Sequence, residues 1–246
     1  MIKVDKLSLL NGNHFVASNG LVVKHPKITD ILVVGDLEYA MFVSLFCASP
    51  ADYMVLLYSM KIDYYEVTNY QLFFMLLNIN DKILKNCLKV FLNMDEIEII
   101  TNASDGSQLL SGKVRETKYD ITEDIYNEIC EFMTIINCYS SNVERKFANE
   151  STRKAWFEVE MEDMEDRENS NKDGFANLVS AVVGKNNCGI NYLNIWDLYI
   201  YQFQDLTRRL MLIEEYSNLM YGIYSGNIDS SKMNLNKVSW INPINN

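Results

Sequence analysis

The longest periodic run of apolar residues lies near the end of the chain, between Asn194 and Tyr221. Apolar side chains return there at intervals of three, four or seven residues, which places them on one face of an α-helix. This apolar stripe consists of Ile195, Tyr199, Phe203, Leu206, Leu210, Ile213 and Met220. The pattern predicts one continuous helix, which would be about 42 Å long at 1.5 Å per residue.

Helical spacing also recurs in the first half of the chain, where start and stop signals set the expected bounds. Thr29 or Asp30 can cap a short first helix, and Gly35 interrupts it before a helix over Leu37–Ala48. A serine followed by proline starts a helix over about Pro50–Met60. Two further helices are predicted, one opened by Thr68 or Asn69 and one carried by the spacing of Leu84, Cys87, Leu88 and Phe91.

From Asp120 onwards the pattern is helical throughout. Asp120 with Glu123 has the form of a capping box, and the expected inward residues after it are Ile125, Ile129, Phe132 and Ile136. Ser151 and Asp173 are expected to cap two more helices. Their apolar stripes are Phe157, Met161 and Met164 in the first helix, and Phe175, Leu178 and Val182 in the second, which Gly184 would end.

Two regions alternate with the period of two that is typical of strands. His14–Ser18 and Leu21–His25 flank Asn19-Gly20, which predicts a β-hairpin closed by a type I′ turn, and Met1–Leu10 is a candidate third strand. Glu96–Thr101 and Leu109–Val114 predict a second hairpin in the middle of the chain.

Together these elements predict an α+β fold that is mainly α-helical. It has an N-terminal β-hairpin or ribbon, a mid-chain hairpin and a C-terminal helical bundle with one long final helix. A charge shift and the capping signal divide the chain into residues 1–119, with the ribbon and the first helices, and residues 120–246, which are helical. One continuous domain is the alternative.

Composition favours an ordinary globular protein, with 48% hydrophobic and 22% charged residues. The net charge of −11 argues against binding to nucleic acid and to anionic membranes, because both need a basic surface. The N-terminus lacks the apolar segment of a signal peptide, and the apolar stretch Tyr39–Met60 is interrupted by polar residues and a proline. Five cysteines never form a C-x-x-C pair, which favours reduced thiols and a location in the cytoplasm. They are Cys47, Cys87, Cys130, Cys138 and Cys188.

No stretch carries a catalytic, metal or nucleotide signature. His14 and His25 have no nucleophile or acid at a recognisable spacing, and the glycines form neither a phosphate loop nor a dinucleotide fingerprint. Ser104–Ser107 has a single carboxylate and is predicted to be a turn. The expectation is therefore a protein that is not an enzyme and that uses no cofactor or metal. The acidic run Glu158–Glu168 is interpreted as a solvated helix face, with a docking surface for a basic partner as the alternative.

Aromatic residues are concentrated in the final region. Eight fall within 33 positions and cannot share one helix face: Tyr192, Trp196, Tyr199, Tyr201, Phe203, Tyr216, Tyr221 and Tyr224. Trp196 and Tyr201 lie off the apolar stripe and are the first candidates for partner binding, followed by Tyr216, Tyr221 and Tyr224. The competing interpretation is a helix that is buried on most sides.

Three segments and a closing tryptophan, Trp240, carry a resemblance to a known family. The segments are HPKITDILVVGDLEY, SPADYMVLLYSMKIDYYEVTNYQLFFML and IWDLYIYQFQDLTRRLMLIEEYSNLMYGIYSGNID. In this order they resemble small tail-morphogenesis proteins of phages and prophages of low-GC Gram-positive bacteria, those described as tail assembly chaperones above all. The likeness covers most of the chain through loose patterns rather than catalytic signatures.

The resemblance implies a non-enzymatic helper in the bacterial host cytoplasm. Such proteins bind the long, aggregation-prone tape measure protein while tail-tube subunits polymerise around it, which makes the tape measure protein the expected partner and the tail tube protein a further candidate. The alternative is a structural virion component, such as a connector or a tail subunit, and a third reading is an enzyme whose site has no local motif. Oligomeric state is not fixed by the sequence.

Overall fold

A computed structural model describes residues 4–104, 106–141, 147–168, 174–185, 189–231 and 233–242. The helices are α1 (Lys6–Leu10), α2 (Ile28–Val34), α3 (Asp36–Cys47), α4 (Met54–Ser59), α5 (Asn69–Ile79), α6 (Asp81–Leu92), α7 (Glu123–Asn137), α8 (Glu150–Glu168), α9 (Gly174–Lys185) and α10 (Ile200–Tyr224). The strands are β1 (Phe15–Val16), β2 (Val22–Val23), β3 (Asp95–Thr101), β4 (Gln108–Val114) and β5 (Thr117–Ile121). The predicted fold class, α+β and mainly α-helical, is confirmed.

The N-terminal hairpin forms as predicted, but its turn differs. β1 and β2 are antiparallel, with Phe15 opposite Val23. Ala17 N donates to Leu21 O at 2.9 Å, so three residues close the loop, and of the Asn19-Gly20 pair only Gly20 has a positive φ, at 86°. A type I′ turn needs a positive φ at both positions. Asn19 instead uses its side chain, which accepts from Leu21 N at 3.0 Å.

The candidate third strand near the N-terminus is wrong, because residues 6–10 form the short helix α1. Asp5 caps it by accepting from Ser8 N at 3.1 Å. Gly12 then turns the chain with a φ of +78°, and the ring of Tyr199 occupies the space that a Cβ would need there. The local cap and the glycine turn therefore decide against an extended segment.

The mid-chain hairpin is confirmed and continues into a third strand that the pattern did not predict. The sheet order is β3-β4-β5, all antiparallel. Asp120, predicted as a helix cap, lies in β5 and accepts from Ser111 Oγ at 2.7 Å. Thr122 caps α7 instead. The domain boundary at 119/120 falls within β5 and stays a prediction.

The main core surrounds α3, which packs against α5, α6 and α7. One connected cluster of buried side chains runs from Leu9 to Phe203. It includes both predicted inward sets, Leu84, Cys87, Leu88 and Phe91 of α6 and Ile125, Ile129, Phe132 and Ile136 of α7. The helical spacing thus identified the inward faces of both helices correctly.

A smaller cluster joins α4 to α8. Phe157 is fully buried there and stacks on Tyr58 with ring centroids 4.2 Å apart. Arg153 of α8 forms a double contact to Asp63, at 3.1 and 3.2 Å. The predicted face of α8 is therefore confirmed at Phe157. The side chains of α8 from residue 162 onwards, which include Met164 and most of the acidic run, are not described.

One predicted helix start, at Thr68, is correct, and two others differ from the structure by a few residues. Thr68 forms a capping box with Gln71, as its sequence indicates. The helix expected from Pro50 begins only at Met54, because Ser49 donates to Asp52 through both N and Oγ and holds residues 50–53 in turns. For α2 the residue that precedes the helix is Lys27, with its N–H held by Asp30 at 2.8 Å.

The predicted bounds of α8 and α9 differ slightly from those in the structure. Asn149, rather than Ser151, caps α8 by accepting from Thr152 N at 2.8 Å. α9 ends at Lys185, one residue beyond the predicted stop at Gly184, with Phe175 and Leu178 half-buried and Val182 buried. The predicted cap Asp173 and Cys188 lie outside the described residues.

The long final helix is shorter at its start than its apolar stripe predicts. Ile195–Asp197 form a 3₁₀ turn, and the backbone is extended at Leu198 and Tyr199. Tyr199 pairs with Lys27: Ile28 N donates to Leu198 O at 2.9 Å, and Ile200 N donates to Pro26 O at 2.8 Å. At these positions, hydrogen bonds between two distant segments of the chain replace helical ones. α10 therefore begins at Ile200 and continues to Tyr224.

Candidate partner-binding site

An apolar groove lies between α2 and α9. Its cavity measures about 330 Å³. We call it the α2–α9 groove; its lining consists of Ile28, Ile31, Leu32, Gly35, Asp36, Phe175, Ala176, Val179, Ser180, Tyr192 and Trp196. Grooves lined by apolar and aromatic side chains with a few polar groups are the usual form of ligand sites.

Trp196 closes one end of the groove and is held there by its own segment. The 3₁₀ turn of Ile195–Asp197 buries Ile195 in the core, and Trp196 Nε1 donates to Tyr192 O at 2.7 Å. Tyr192 in turn reaches α9, with its hydroxyl 3.1 Å from Ser180 Oγ. These contacts hold the indole at the edge of the cavity, where an aromatic ring can pack on an apolar ligand.

Apolar side chains that project into solvent flank the groove. Leu32 and Val33 before Gly35 are 66% and 78% exposed, and Leu37 after it is 61% exposed. At the tryptophan end, Leu193 is 90% exposed. Single exposed apolar residues are common on protein surfaces, but a cluster around a cavity is typical of an interaction site.

A second cavity, of about 380 Å³, adjoins the first. Ile31, Asp36 and Phe175 line both cavities, so these three residues lie at the junction. The second cavity is more polar, with the side chains of Ser44, Asn137 and Gln204 in its lining. The combined surface therefore changes from apolar beside Trp196 to polar beyond Asp36.

The junction carries negative charge. Asp36 Oδ1 accepts from Leu37 N at 2.9 Å, and the Glu38 carboxylate lies over Gly35. In the part of the chain that the structure describes, no lysine, arginine or histidine lies within ion-pair distance of either carboxylate. Lys27, the nearest cation along the sequence, pairs with Asp197 at 3.5 Å.

The structure separates the five aromatic residues that the sequence nominated. Trp196 lines the groove, whereas Tyr201 is half-buried against the main core and its N–H donates to His25 Nε2 at 3.3 Å. Burial raises the pKa of the Tyr201 hydroxyl. Tyr216 is half-buried on α10, and Tyr221 and Tyr224 are exposed near the far end of that helix. The five do not form one surface.

The tail after α10 folds back along the helix. Gly226 turns the chain with a φ of +77°, and Ile228 N donates to Gly222 O at 3.0 Å. The Ile228 side chain occupies the space that a Cβ on Gly222 would need. Arg209 holds the returning end by donating to Trp240 O and Asn242 O. The GIYSGNID sequence thus encodes a turn that covers part of α10.

The titratable side chains of the core have the properties of buried groups. Burial lowers the pKa of His25 to about 4. Burial raises the pKa of Cys47 to about 12 and that of Cys87 to about 11, so both thiols stay protonated at neutral pH. Within the described ranges, no group of three or more His, Cys, Asp or Glu residues has a geometry for a metal ion.

Sequence reasoning missed Leu32, Val33, Leu37 and Leu193 as surface residues. Five of the seven residues of α2 (ITDILVV) are apolar, and in so short a helix they do not indicate which face stays uncovered. Their one signal was that apolar residues next to Gly35 and in the polar loop before Trp196 are out of place.

Across the described helices, none is both long and apolar enough to cross a membrane.

Comparison with known proteins gives one informative result. Neither the curated proteins nor the solved structures contain a match. Residues 169–245 match the family model of the YomV second domain, and YomV is a protein of a Bacillus phage region. The matched residues include α9, Trp196, α10 and the tail, whereas α2 lies outside them. Over this segment the chain is similar to proteins of phage or prophage type.

Proposed function

We propose that this protein is a non-enzymatic phage tail morphogenesis factor, an assembly chaperone that binds the tape measure protein while the tail polymerises. The observation that carries the proposal is the α2–α9 groove with its exposed apolar flanks. The similarity of residues 169–245 to a phage-region family and the resemblance to tail assembly chaperones support the same biological setting.

The groove suits a helical client. Amphipathic helices bind by laying their apolar face into a hydrophobic groove, with anchors spaced three, four or seven residues apart. Full burial of one leucine or valine stabilises by about 1.5–3 kcal/mol, so Leu32, Val33, Leu37 and Leu193 together would supply about 6–12 kcal/mol before the cost of association. After that cost, the expected affinity is moderate, which fits a chaperone that leaves the finished particle.

The overall charge agrees with this role. A net charge of −11 makes copies of the protein repel each other and favours solubility of a complex with an apolar client. An acidic protein also attracts basic client segments from a distance, which raises the association rate.

The test is co-expression of the tape measure protein with the wild-type chain and with a Leu32→Asp/Leu193→Asp double variant. We expect the wild type to keep the client soluble and to co-purify with it, and the double variant to lose at least tenfold of the bound client. Leu7→Asp is the matched control, because Leu7 of α1 is 74% exposed and does not line the groove.

Two outcomes decide against the proposal. Loss of client solubility with Leu7→Asp to the same degree would show that any exposed apolar residue matters and that the groove does not. Presence of the protein in purified virions at a fixed ratio to tail subunits would support the alternative, a structural virion component.

A further inference from the structure

We infer that the segment bound in the α2–α9 groove is an amphipathic helix that carries an arginine or lysine beside its apolar anchor, and that Asp36 pairs with that cation. The inference rests on the proposed function and specifies the chemistry of the client. It follows from the change in character between the two adjoining cavities.

The first cavity selects an apolar side chain. Ile28, Ile31 and Val179 are buried and form its floor, and Trp196 supplies a fixed aromatic wall. A charged side chain packed against these apolar groups, rather than against Asp36, would lose its hydration without gaining a partner. The anchor of the client is therefore apolar.

The second cavity selects a cation. Asp36 lies at the junction, and Ser44, Asn137 and Gln204 contribute oxygen atoms that can accept hydrogen bonds. Asn137 Oδ1 already accepts from Tyr39 OH at 2.8 Å, which orients this oxygen. A guanidinium or ammonium group has several N–H donors and no acceptor, so it matches a carboxylate surrounded by acceptor oxygens.

Asp36 and Glu38 are available for an external cation. Both are half-buried, and neither has a basic partner within ion-pair distance among the residues that the structure describes. Both lie in the first turn of α3, where the helix dipole stabilises negative charge. A partly desolvated ion pair with a client would be stronger than a fully exposed one.

The experiment uses overlapping 20-residue peptides that cover the tape measure protein encoded with this chain, with fluorescence anisotropy as the readout. We expect the peptides that bind the wild type to share an arginine or lysine next to an apolar residue. Asp36→Asn should weaken them about five- to tenfold, and so should replacing that basic residue with glutamine. Glu116→Lys, a charge change in the turn between β4 and β5, is the control and should leave binding unchanged.

A charge exchange separates recognition from misfolding. Asp36→Lys should bind the original peptide at least tenfold more weakly than the wild type, and a peptide with glutamate in place of the basic residue should recover most of that loss. A folding defect would not be repaired by a change in the peptide. Equal binding of both peptides to Asp36→Lys would overturn the inference.

Co-purification of the full-length tape measure protein, measured in parallel, distinguishes the two levels of the proposal. If the client co-purifies with the wild type and equally with Asp36→Lys, the charge inference is wrong and the proposed function stands. The same conclusion follows if the full-length client binds but no peptide does. If the client fails to co-purify with the wild type, the proposed function is wrong, and the inference is wrong with it.

Discussion

The two halves of α10 have the same kind of sequence and different surroundings. In the first half, Ile200, Phe203 and Thr207 are buried against α7, α9 and the core. In the second half, residues 211–224, all of which the structure describes, include no buried residue. The tail covers one side through Ile228 on Gly222, and Tyr221 and Tyr224 remain 73% and 79% exposed.

The comparison shows what a periodic apolar stripe does and does not encode. The stripe runs without interruption from Phe203 to Met220 and predicts the helix across both halves. It does not indicate whether a core, a tail or a partner covers each part. Only the neighbouring elements decide that, and they come from distant parts of the chain.

The two halves should differ most in the loss of stability when an apolar side chain is replaced with alanine. Phe203→Ala removes a fully buried ring that packs on Phe175, and we expect a loss of about 3–5 kcal/mol in the free energy of unfolding. Met211→Ala, in the exposed half, should change it by less than about 0.5 kcal/mol. Urea denaturation measures both, and similar values for the two would contradict the difference in burial.

Acid should lower the stability of the protein at the first turn of α10, because His25 becomes protonated there. Its Nε2 accepts from Tyr201 N in the first turn of α10, and burial, with His14 acting in the same direction, lowers the pKa to about 4. The unfolded chain therefore binds a proton at a higher pH than the folded one. This stability is complete above pH 6.5 and is lost as the pH falls toward 4, at up to about 1.4 kcal/mol per pH unit.

His25→Gln isolates this effect from the carboxylates, because glutamine retains an acceptor and does not titrate. Urea denaturation at pH 7, 6, 5 and 4.5 should show a shallower loss of stability for the variant than for the wild type. Parallel curves for the two proteins would exclude His25 as the source of the acid sensitivity.

A smaller effect is expected where the tail meets the second half. Gly222→Leu places a side chain in the space of Ile228 and should release the tail, at a cost of about 1–2 kcal/mol. Limited proteolysis should then cut within residues 225–242 faster than in the wild type. Adding Ile228→Ala removes the crowding and serves as the control, and unchanged cleavage in Gly222→Leu would show that this contact does not hold the tail.

The smallest change is expected at the two exposed tyrosines. Replacing Tyr221 and Tyr224 with serine should alter the free energy of unfolding by less than about 0.5 kcal/mol, because neither ring is buried. Client co-purification tests their role as candidate partner-binding residues. A loss of client as large as that of the groove variant would identify the second half of α10 as a binding surface.

Much of the fold follows from local signals in the sequence. The helix start at Thr68, the inward faces of α6 and α7 and the hairpin before Pro26 were predicted, because caps, periodicity and turn residues act within a few positions. The interruption before Ile200 was not predicted. It depends on hydrogen bonds to Pro26 and Ile28, which no local pattern at Leu198 or Tyr199 contains.

The candidate site was predictable only in part. Trp196 was nominated because it lies off the apolar stripe, and it does line the groove. Leu32 and Leu193 were not nominated, because an apolar residue on the surface and one in the core are the same letter in a sequence. Asp36 has the appearance of an ordinary acid in the first turn of a helix, and its position between two cavities arises from α9, far along the chain.

The crossing of residues 25–28 with residues 198–201 also bears on how the protein is made. His25 and Tyr201 are 176 positions apart, so their contact closes a very long loop and is expected to form late in folding. One wall of the groove, α2, directly follows residues 25–28, and the other wall, α9 with Trp196, comes shortly before residues 198–201. On the ribosome, α2 emerges long before α9 and Trp196 have been synthesised, so a nascent chain offers no complete groove. Under the proposed function, client binding would therefore begin only after α9 and Trp196 have emerged from the ribosome.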